Sequence, residues 1–278
     1  MGFIFKEDEP LGSSLSFKIE KHLFSGRSQF QKLDIFETKK FGKIMVLDGF
    51  LMLTEKDEFA YHEMIAHVPL YSHFNPENVL VIGGGDGGTL REVVKHGKVK
   101  QVDICEIDEL VIEKSKEFFP DLAGSFLNPK VNVFIQDAVE FVKNKKNVYD
   151  VILIDSTDPI GPGEGLFNQE FYKNAFDALR DDGILTAQAE SPFFTPELVQ
   201  DIVDKNKKNF PIVKLYTAFT PTYPSGNWSF AIGSKKYDPA LDVDVDAIKA
   251  DNLILKYYNP EHHKASFALP NFIKKIVE

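Results

Sequence analysis

The sequence predicts an α/β protein in which a parallel sheet with crossover helices follows a small antiparallel β domain. From Pro76 onward, short apolar runs typical of buried strands alternate with segments of helical periodicity, and this alternation indicates a parallel sheet. The strand patterns cover 78–82, 99–105, 131–135, 149–154, 183–188 and 213–219. The helical patterns cover 89–96, 108–118, 137–144, 169–180 and 196–208.

The N-terminal part of the chain has a different pattern. Residues 1–72 show short runs of alternating apolar and polar side chains, with breaks at Ser25-Gly26, Phe41-Gly42 and Asp48-Gly49. The last pair stands between MVL and FLML, which predicts a hairpin with a type I′ turn. A helix is predicted over about 58–71. We therefore predict an N-terminal β-hairpin domain over 1–72 and an α/β domain over 73–278, with a final helix near 269–277.

The composition argues against two classes of partner. The 278 residues carry a net charge of −10 without a polybasic block, whereas nucleic-acid binding depends on Lys and Arg neutralising phosphates. No stretch approaches the ~20 apolar residues of a membrane span, and the N-terminus lacks the pattern of a signal peptide. We expect no nucleic-acid partner, no membrane partner and a cytoplasmic location. The single cysteine, Cys105, rules out an intramolecular disulfide and lies in a strand pattern that predicts a buried thiol.

The segment VLVIGGGDGG, residues 79–88, joins a buried-strand pattern to a glycine-rich turn that contains Asp86. Glycines in such a turn let the backbone approach a ligand closely, which indicates a nucleotide-type or nucleoside-type site. A turn that binds a pyrophosphate presents N–H groups and the positive end of a helix, and a fixed anion would repel the phosphates. Asp86 therefore favours a nucleoside ligand that is cationic.

Acidic or amide side chains follow five of the predicted strands. In an open parallel sheet, ligands bind beyond the carboxyl ends of the strands, so these side chains are expected to share one site. They are Asp86, Glu106, Asp137, Asp155 with Asp158, and Gln188 with Glu190.

Several of these acids also have a purely structural interpretation. Glu106 lies near the ~20-residue spacing at which a carboxylate binds a ribose hydroxyl pair, and it could equally be a solvated strand-end acid. Asp137 either caps the next helix or binds an adenine amino group. Asp155 and Asp158 could shape a turn before Pro159, although a turn needs only one such residue. The second carboxylate favours a functional role.

Longer motifs extend from the N-terminal domain to the C-terminal tail. They are VLVIGGGDGGTLREVVKHGKV, CEID, DSTDPIGP with GLF shortly after, PTYPSG (221–226), YHEM (61–64) and YYNPEHHKASFALP (257–270). Together they resemble the spermidine synthase family of polyamine aminopropyltransferases. The resemblance implies a Rossmann-like catalytic domain of the S-adenosylmethionine-methyltransferase type after the β domain, assembled as a homodimer or homotetramer.

The resemblance also implies a reaction and the residues that perform it. An aminopropyl group passes from decarboxylated S-adenosylmethionine, a co-substrate and not a bound cofactor, to putrescine, which gives spermidine and methylthioadenosine. Asp155 corresponds to the proton acceptor. The residues around the amines are Tyr61, His62, Asp86, Asp155, Asp158, Gln188 and Tyr223. The residues expected at the nucleoside are Gln31, Gly83, Gly85, Glu106, Ile107, Asp137, Ala138, Ser156 and Pro162.

The segment 156–168 resembles the family's loop that closes over the substrates. Two residues depart slightly from the family pattern: His62 is a glutamine in some relatives, and Ala138 is often a glycine. No metal is expected, because the chain has no His or Cys cluster with the spacing of metal ligands.

Three other functions are open at this stage. A methyltransferase shares the fold and the adenosine contacts, but the acidic donor end argues against it. A nicotinamide dehydrogenase would place a pyrophosphate where Asp86 lies. A polyamine sensor without catalytic activity would not need a general base such as Asp155.

Overall fold

The N-terminal part of the protein is an antiparallel sheet of five strands in sequence order. The fold is that of a computed structural model, which describes residues 3–157 and 161–278, without the side chains of 161 and 162. The strands are β1 (Ile4–Asp8), β2 (Ser14–Arg27), β3 (Lys32–Thr38), β4 (Gly42–Leu47) and β5 (Phe50–Thr54). Asp48 and Gly49 join β4 to β5 with φ angles of 47° and 96°, as the predicted type I′ turn requires.

The predicted break at Ser25-Gly26 is wrong, because β2 continues through both residues. Ser25 pairs with Asp34 and Gly26 pairs with Leu33 on β3. A Cβ atom at Gly26 would lie 2.6 Å from the ring of Phe24. This glycine therefore makes room for an aromatic ring on the same face of the strand, and it does not form a turn.

The second sheet has seven strands in the order β11-β12-β10-β9-β6-β7-β8. The strands are β6 (Asn78–Gly83), β7 (Gln101–Glu106), β8 (Val131–Ile135), β9 (Tyr149–Asp155), β10 (Leu179–Gln188), β11 (Ile212–Phe219) and β12 (Asn227–Ser234). The prediction of a parallel sheet missed β12, which lies antiparallel between β10 and β11. The turn before β12 has positive φ angles at Ser225 and Gly226, so the chain reverses directly and forms a hairpin without a crossover helix.

Helices cover both faces of this sheet and extend beyond it towards the C-terminus. They are α1 (Glu58–Ser72), α2 (Gly88–Val94), α3 (Glu109–Phe118), α4 (Pro120–Ala123), α5 (Ala138–Lys143), α6 (Gln169–Ala178), α7 (Pro196–Lys207), α8 (Val245–Asp251), α9 (Pro260–Ser266) and α10 (Asn271–Val277). The helices α4, α8 and α9 were not predicted from the sequence. All three are short, and none has the long apolar periodicity that identifies a helix from sequence.

Apolar clusters connect the two sheets. Leu33, Met45 and Leu53 of the first sheet pack with Val111 of α3 and Leu122 of α4. The helix α1, which directly follows β5, packs against α2 and the second sheet. These contacts hold the first sheet beside the edge of the second sheet where β6, β7 and β9 end. The predicted domain boundary at residue 72 stays a prediction.

Candidate active site

A cavity of about 530 Å³ lies between the first sheet and the carboxyl ends of the parallel strands. All the predicted site residues whose side chains the structure describes line this cavity. They are Gln31, Tyr61, His62, Gly83, Gly85, Asp86, Glu106, Ile107, Asp137, Ala138, Asp155, Ser156, Gln188 and Tyr223. Asp158 lies outside the described residues, as does the side chain of Pro162, so their predicted roles stay predictions.

Asp155 ends β9 and is fixed by the glycine turn beside it. Gly83 lies opposite Asp155 in the sheet register, and the Gly84 N–H donates to the Asp155 carbonyl at 2.8 Å. The hydroxyl of Tyr61 donates to Oδ1 of the carboxylate at 2.8 Å, and the hydroxyl of Thr89 donates to Oδ2 at 2.7 Å. One hydrogen bond to each oxygen holds the carboxylate in a single orientation at the mouth of the turn.

The first glycine of the turn is required by this close approach. Gly83 has a φ angle of 77°, and a Cβ atom there would lie 2.2 Å from the Asp155 carbonyl oxygen. Real Cβ atoms essentially never come closer than 3.0 Å to such an atom. The strand end and the turn can therefore pack only if this residue has no side chain.

Asp86 lies next to Asp155 and contacts both the backbone and a histidine. Its Oδ1 accepts from the Gly88 N–H at 2.6 Å and lies 3.4 Å from Nε2 of His62. The other ring nitrogen of His62, Nδ1, is 2.7 Å from a carboxylate oxygen of Glu58. The predicted amine end of the site therefore contains two carboxylates and a histidine that lies between carboxylates.

The charges of these groups shift one another's pKa values. Burial lowers the pKa of His62, but Asp86 and Glu58 outweigh it and raise that pKa to about 10. Burial raises the pKa of Asp86, and the neighbouring His62 outweighs it, so the pKa of Asp86 lies below its usual value. Burial and the negative charge of Asp86 both raise the pKa of Asp155. Asp155 is therefore a better proton acceptor than an exposed aspartate.

Glu106, at the end of β7, forms the other end of the cavity. Its Oε1 accepts from the Asp108 N–H at 2.9 Å, and a carboxylate oxygen of Asp108 accepts from the Gln31 side chain at 3.0 Å. A Cβ atom at Gly85 would lie 2.9 Å from Oε2 of Glu106, so this glycine allows the carboxylate to lie against the turn. Burial raises the pKa of Glu106 to about 7, although the hydrogen bond from the Asp108 N–H acts against the shift.

We predict that Glu106 makes the protein less stable as the pH rises from about 4.5 to about 7. Between the ordinary value of 4.5 and about 7, the folded carboxyl keeps a proton that the unfolded chain has lost. Unfolding then releases a proton, so the free energy of unfolding falls by up to about 3 kcal/mol across this window. Urea unfolding at a series of pH values should show a smaller decrease for Glu106→Gln than for the wild type. Equal decreases would show that Glu106 has an ordinary pKa.

The structure shows the helix-capping interpretation of Asp137, and its predicted contact with an adenine amino group stays a prediction. Its carboxylate accepts from the Val139 N–H at 2.8 Å and so caps α5, and the residue also lines the cavity. The amide of Gln188, at the end of β10, donates to the Ser156 carbonyl at 3.3 Å and to Glu190 at 3.0 Å. The strand-end residues therefore both shape the cavity and present polar groups to it.

Some cavity residues were not predicted from the sequence. Glu7, Asp8 and Glu9, at the end of β1 and just after it, line the cavity, as does Trp228 on the missed strand β12. The acids in FKEDEP were a visible signal, but their distance from the second sheet is set by the packing of the first sheet. In addition, the hydroxyl of Tyr223, in the turn between β11 and β12, donates to the Met52 carbonyl on β5.

By distance alone, one cluster in the cavity could hold a metal ion. One ligand atom from each of His62, Asp86 and Asp155 lies within 4.8 Å of the others. The donor set fits a metal poorly, because both nitrogens of His62 face carboxylates and the charged ring carries a proton on each. A ring in that state has no lone pair for a metal. The expected absence of a metal stays a prediction.

Comparison with known proteins identifies the family. A model described as the spermine/spermidine synthase domain matches residues 58–245, and a model described as the spermidine synthase tetramerisation domain matches residues 3–55. The polyamine aminopropyltransferase of Caldicellulosiruptor bescii is 49% identical over 274 residues, which cover 99% of this chain and 98% of that protein. The chain belongs to the spermidine synthase family of polyamine aminopropyltransferases. The enzyme of the same name from Bacillus cytotoxicus is 50% identical, with the same coverage.

Solved structures of the spermidine synthase family agree with this fold. A spermidine synthase in complex with the transition-state analogue AdoDATO superposes with a TM-score of 0.97 at 45% identity, covering 99% of this chain and 94% of that one. The spermidine synthase of Thermotoga maritima gives a TM-score of 0.94 at 44% identity, with the same coverage. These matches confirm the predicted fold class and the prediction that the protein is a transferase of polyamine biosynthesis.

Two other predictions concern assembly and the membrane. The match of residues 3–55 to a tetramerisation domain supports the predicted oligomer. Among residues 3–157 and 161–278, no helix combines the length and the apolar character needed to cross a membrane.

Proposed function

We propose that the protein transfers an aminopropyl group from decarboxylated S-adenosylmethionine to putrescine, giving spermidine and methylthioadenosine. The observation that carries the proposal is the pair of carboxylates, Asp86 and Asp155, next to a glycine turn in a nucleoside-sized cavity. A sulfonium nucleoside with a free ammonium is cationic at this end, whereas a phosphate-bearing ligand would be repelled. A relative that binds a transition-state analogue supports the same assignment.

In the proposed reaction, the amine nitrogen of putrescine attacks the methylene carbon bound to the sulfonium sulfur. A C–N bond forms, the C–S bond breaks, and its electron pair stays on sulfur in the neutral thioether. The new ammonium loses a proton to Asp155. No redox partner is needed, and we propose that decarboxylated S-adenosylmethionine acts as a co-substrate without a further cofactor.

An ammonium has no electron pair for the attack, so the reacting nitrogen must enter as a neutral amine, and Asp155 accepts the proton that this nitrogen loses as the C–N bond forms. Asp155 does not deprotonate the ammonium beforehand, because that transfer is costly. Moving a proton from an ammonium of pKa ~10.4 to an aspartate of pKa ~3.9 costs about 9 kcal/mol. The raised pKa of Asp155 lowers this cost, and the nitrogen becomes much more acidic as its bond to carbon forms. Holding nitrogen, carbon and sulfur in line supplies the larger part of the acceleration, since orientation is worth about 7–11 kcal/mol.

We assign the two ends of the cavity to the two parts of the substrate pair. Tyr61, His62, Asp86, Asp155, Asp158, Gln188 and Tyr223 surround the amines in this proposal. Gln31, Gly83, Gly85, Glu106, Ile107, Asp137, Ala138, Ser156 and Pro162 surround the nucleoside. The buried carboxylate of Glu106 supports a ribose contact, because a ligand hydroxyl pair can donate to it. The assembly is a homodimer or a homotetramer.

The experiment that tests this function measures the mass of the product. The protein is incubated with putrescine and, separately, with decarboxylated and ordinary S-adenosylmethionine. We expect the amine to gain the mass of an aminopropyl group, and only with the decarboxylated donor. A gain of one methyl group would make the protein a methyltransferase, and binding without any product would make it a sensor. A competition among putrescine, cadaverine, spermidine and agmatine at a fixed donor concentration identifies the preferred acceptor.

A further inference from the structure

A chain of buried and partly buried contacts leads from α2, through the first turn of α1, to the amine end of the site. The guanidinium of Arg91 donates to both oxygens of Glu58, at 3.0 and 2.9 Å. Glu58 in turn lies 2.7 Å from Nδ1 of His62, whose Nε2 faces Asp86 at 3.4 Å. Neither Arg91 nor Glu58 lines the cavity, so neither contacts a substrate there, and His62 is the residue that connects Glu58 to the site.

Gly88, the last glycine of the turn, leaves room for the His62 ring. A Cβ atom at Gly88 would lie 2.2 Å from Cε1, 2.3 Å from Nδ1 and 2.5 Å from Nε2 of the ring. Gly88 has no positive φ angle, so the backbone does not require a glycine at this position. A side chain is excluded at this position because the histidine ring occupies the space. The ring therefore lies against Gly88, between the carboxylates of Glu58 and Asp86.

This arrangement determines what His62 presents to the cavity. Each ring nitrogen faces a carboxylate: Nδ1–H donates to Glu58 at 2.7 Å, and Nε2 lies within ion-pair distance of Oδ1 of Asp86, at 3.4 Å. Burial acts to raise the pKa of Glu58, but His62 and Arg91 outweigh it, so the pKa lies below its usual value and the group stays charged. Oδ1 of Asp86 makes both the contact with the Gly88 N–H and the contact with His62.

We infer that Glu58 is a positioning residue for the amine end of the site. Glu58, with Arg91 behind it, holds the His62 ring in place. The ring in turn orients the Asp86 carboxylate towards a substrate ammonium through Nε2–H. The assignment of that end to an amine rests on the proposed function. The orientation of the ring by Glu58 is a property of the protein alone. An experiment can therefore contradict the amine assignment without contradicting the orientation of the ring by Glu58, and the reverse.

A structural alternative must be separated from this role. Glu58 and His62 are four residues apart on one helix, and an acid in the first turn stabilises a helix through its dipole. Glu58 could thus matter only for folding. Glu63 offers a matched control, because it lies on the same helix, is also buried, and accepts from the backbone N–H groups of Lys256, Tyr257 and Tyr258. Glu63 does not line the cavity.

The kinetic test is a double-mutant cycle of Glu58→Gln and His62→Gln, with Glu63→Gln as the control. We expect Glu58→Gln to raise the KM for putrescine about tenfold while the KM for the nucleoside changes little, because only the amine end is disturbed. In the His62→Gln background, Glu58→Gln should add nothing. Glu63→Gln should leave both KM values unchanged. If the two substitutions raise the KM for putrescine independently, so that their effects multiply in the double variant, the inference is overturned.

A second measurement does not depend on activity. The ring of His62 is followed by NMR as the pH is varied, with His62→Gln used to assign the signal. The groups that face this ring are Glu58 and Tyr61 on α1, Asp86 on the turn and Asp155 on β9, with Arg91 of α2 behind Glu58.

We expect the wild-type ring to stay charged through neutral pH, and Glu58→Gln to move its titration to lower pH. Arg91→Lys, which keeps the charge but loses the paired hydrogen bonds, should shift the titration in the same direction by less. An unchanged titration in both variants would overturn the inference. If the titration shifts but the wild type transfers no aminopropyl group, the proposed function is wrong and the positioning of His62 by Glu58 stands.

Discussion

Asp155→Asn should lower the turnover about a thousandfold, while the affinity for methylthioadenosine changes less than about threefold. The amide keeps the shape of the side chain and can still accept from Tyr61 or Thr89 through one atom. It cannot take a proton from the attacking amine. The loss should therefore appear in the chemical step, measured in a single turnover with both substrates saturating, and not in binding measured by calorimetry.

The same strand supplies a matched control for this prediction. Asp150 lies on β9 at the opposite end from Asp155, where it accepts from the backbone of Glu77 and Asn78 and pairs with Arg180. Asp150→Asn should reduce thermal stability, but below the melting temperature it should turn over substrate at nearly the wild-type rate. An equal loss of binding and turnover in Asp155→Asn would make Asp155 a binding residue.

The features that sequence predicted well are those fixed by short-range patterns. The glycine turn, the strand before it and the helix after it occupy consecutive residues, so backbone geometry determines where Asp86 lies. Glu106, Asp137 and Asp155 were predicted to meet because parallel strands end at one edge of a sheet, and all three line the cavity. In each case, a general rule of sheet topology was enough to predict where the side chain lies.

The features that sequence missed depend on contacts between distant segments. Glu7 lines the cavity only because the first sheet packs beside the second one, and its Oε2 accepts from the Leu51 N–H. Trp228 reaches the cavity from β12, a strand inserted out of sequence order into the sheet. The pair of Glu58 with Arg91 joins residues 33 positions apart, and no periodicity of either helix predicts it.

The glycines of the turn also have one feature that was predicted from the sequence and another that was missed. Sequence indicated that the turn approaches a ligand, but it did not indicate that Gly83 leaves room for the Asp155 carbonyl and Gly88 for the His62 ring. Both spaces are filled by protein atoms and not by substrate. At these positions the motif therefore reflects the packing of the Asp155 backbone and the His62 ring, and not only the approach of a ligand.

Asp86→Asn should narrow the preference for decarboxylated over ordinary S-adenosylmethionine by about tenfold or more, which corresponds to about 1.4 kcal/mol. The two nucleosides differ by one carboxylate on the propylamine arm, and a fixed anion in the proposed amine site attracts the first and repels the second. Asparagine can still accept from the Gly88 N–H, so the turn should keep its shape and only the charge is removed. The comparison is made from the dissociation constants of both nucleosides for the wild type and the variant.

Asp137→Asn is the control for this second prediction, because Asp137 lies at the proposed nucleoside end and caps α5 in the same way that Asp86 accepts from Gly88. The adenosine part is common to both nucleosides, so the variant should weaken them equally and leave the ratio unchanged. An unchanged ratio in Asp86→Asn would mean that the shape of the cavity, and not its charge, excludes the carboxylate. Since His62 and Asp86 share a contact of 3.4 Å, the variant should also lower the pKa of His62, and that shift would show directly that the removed charge had been present.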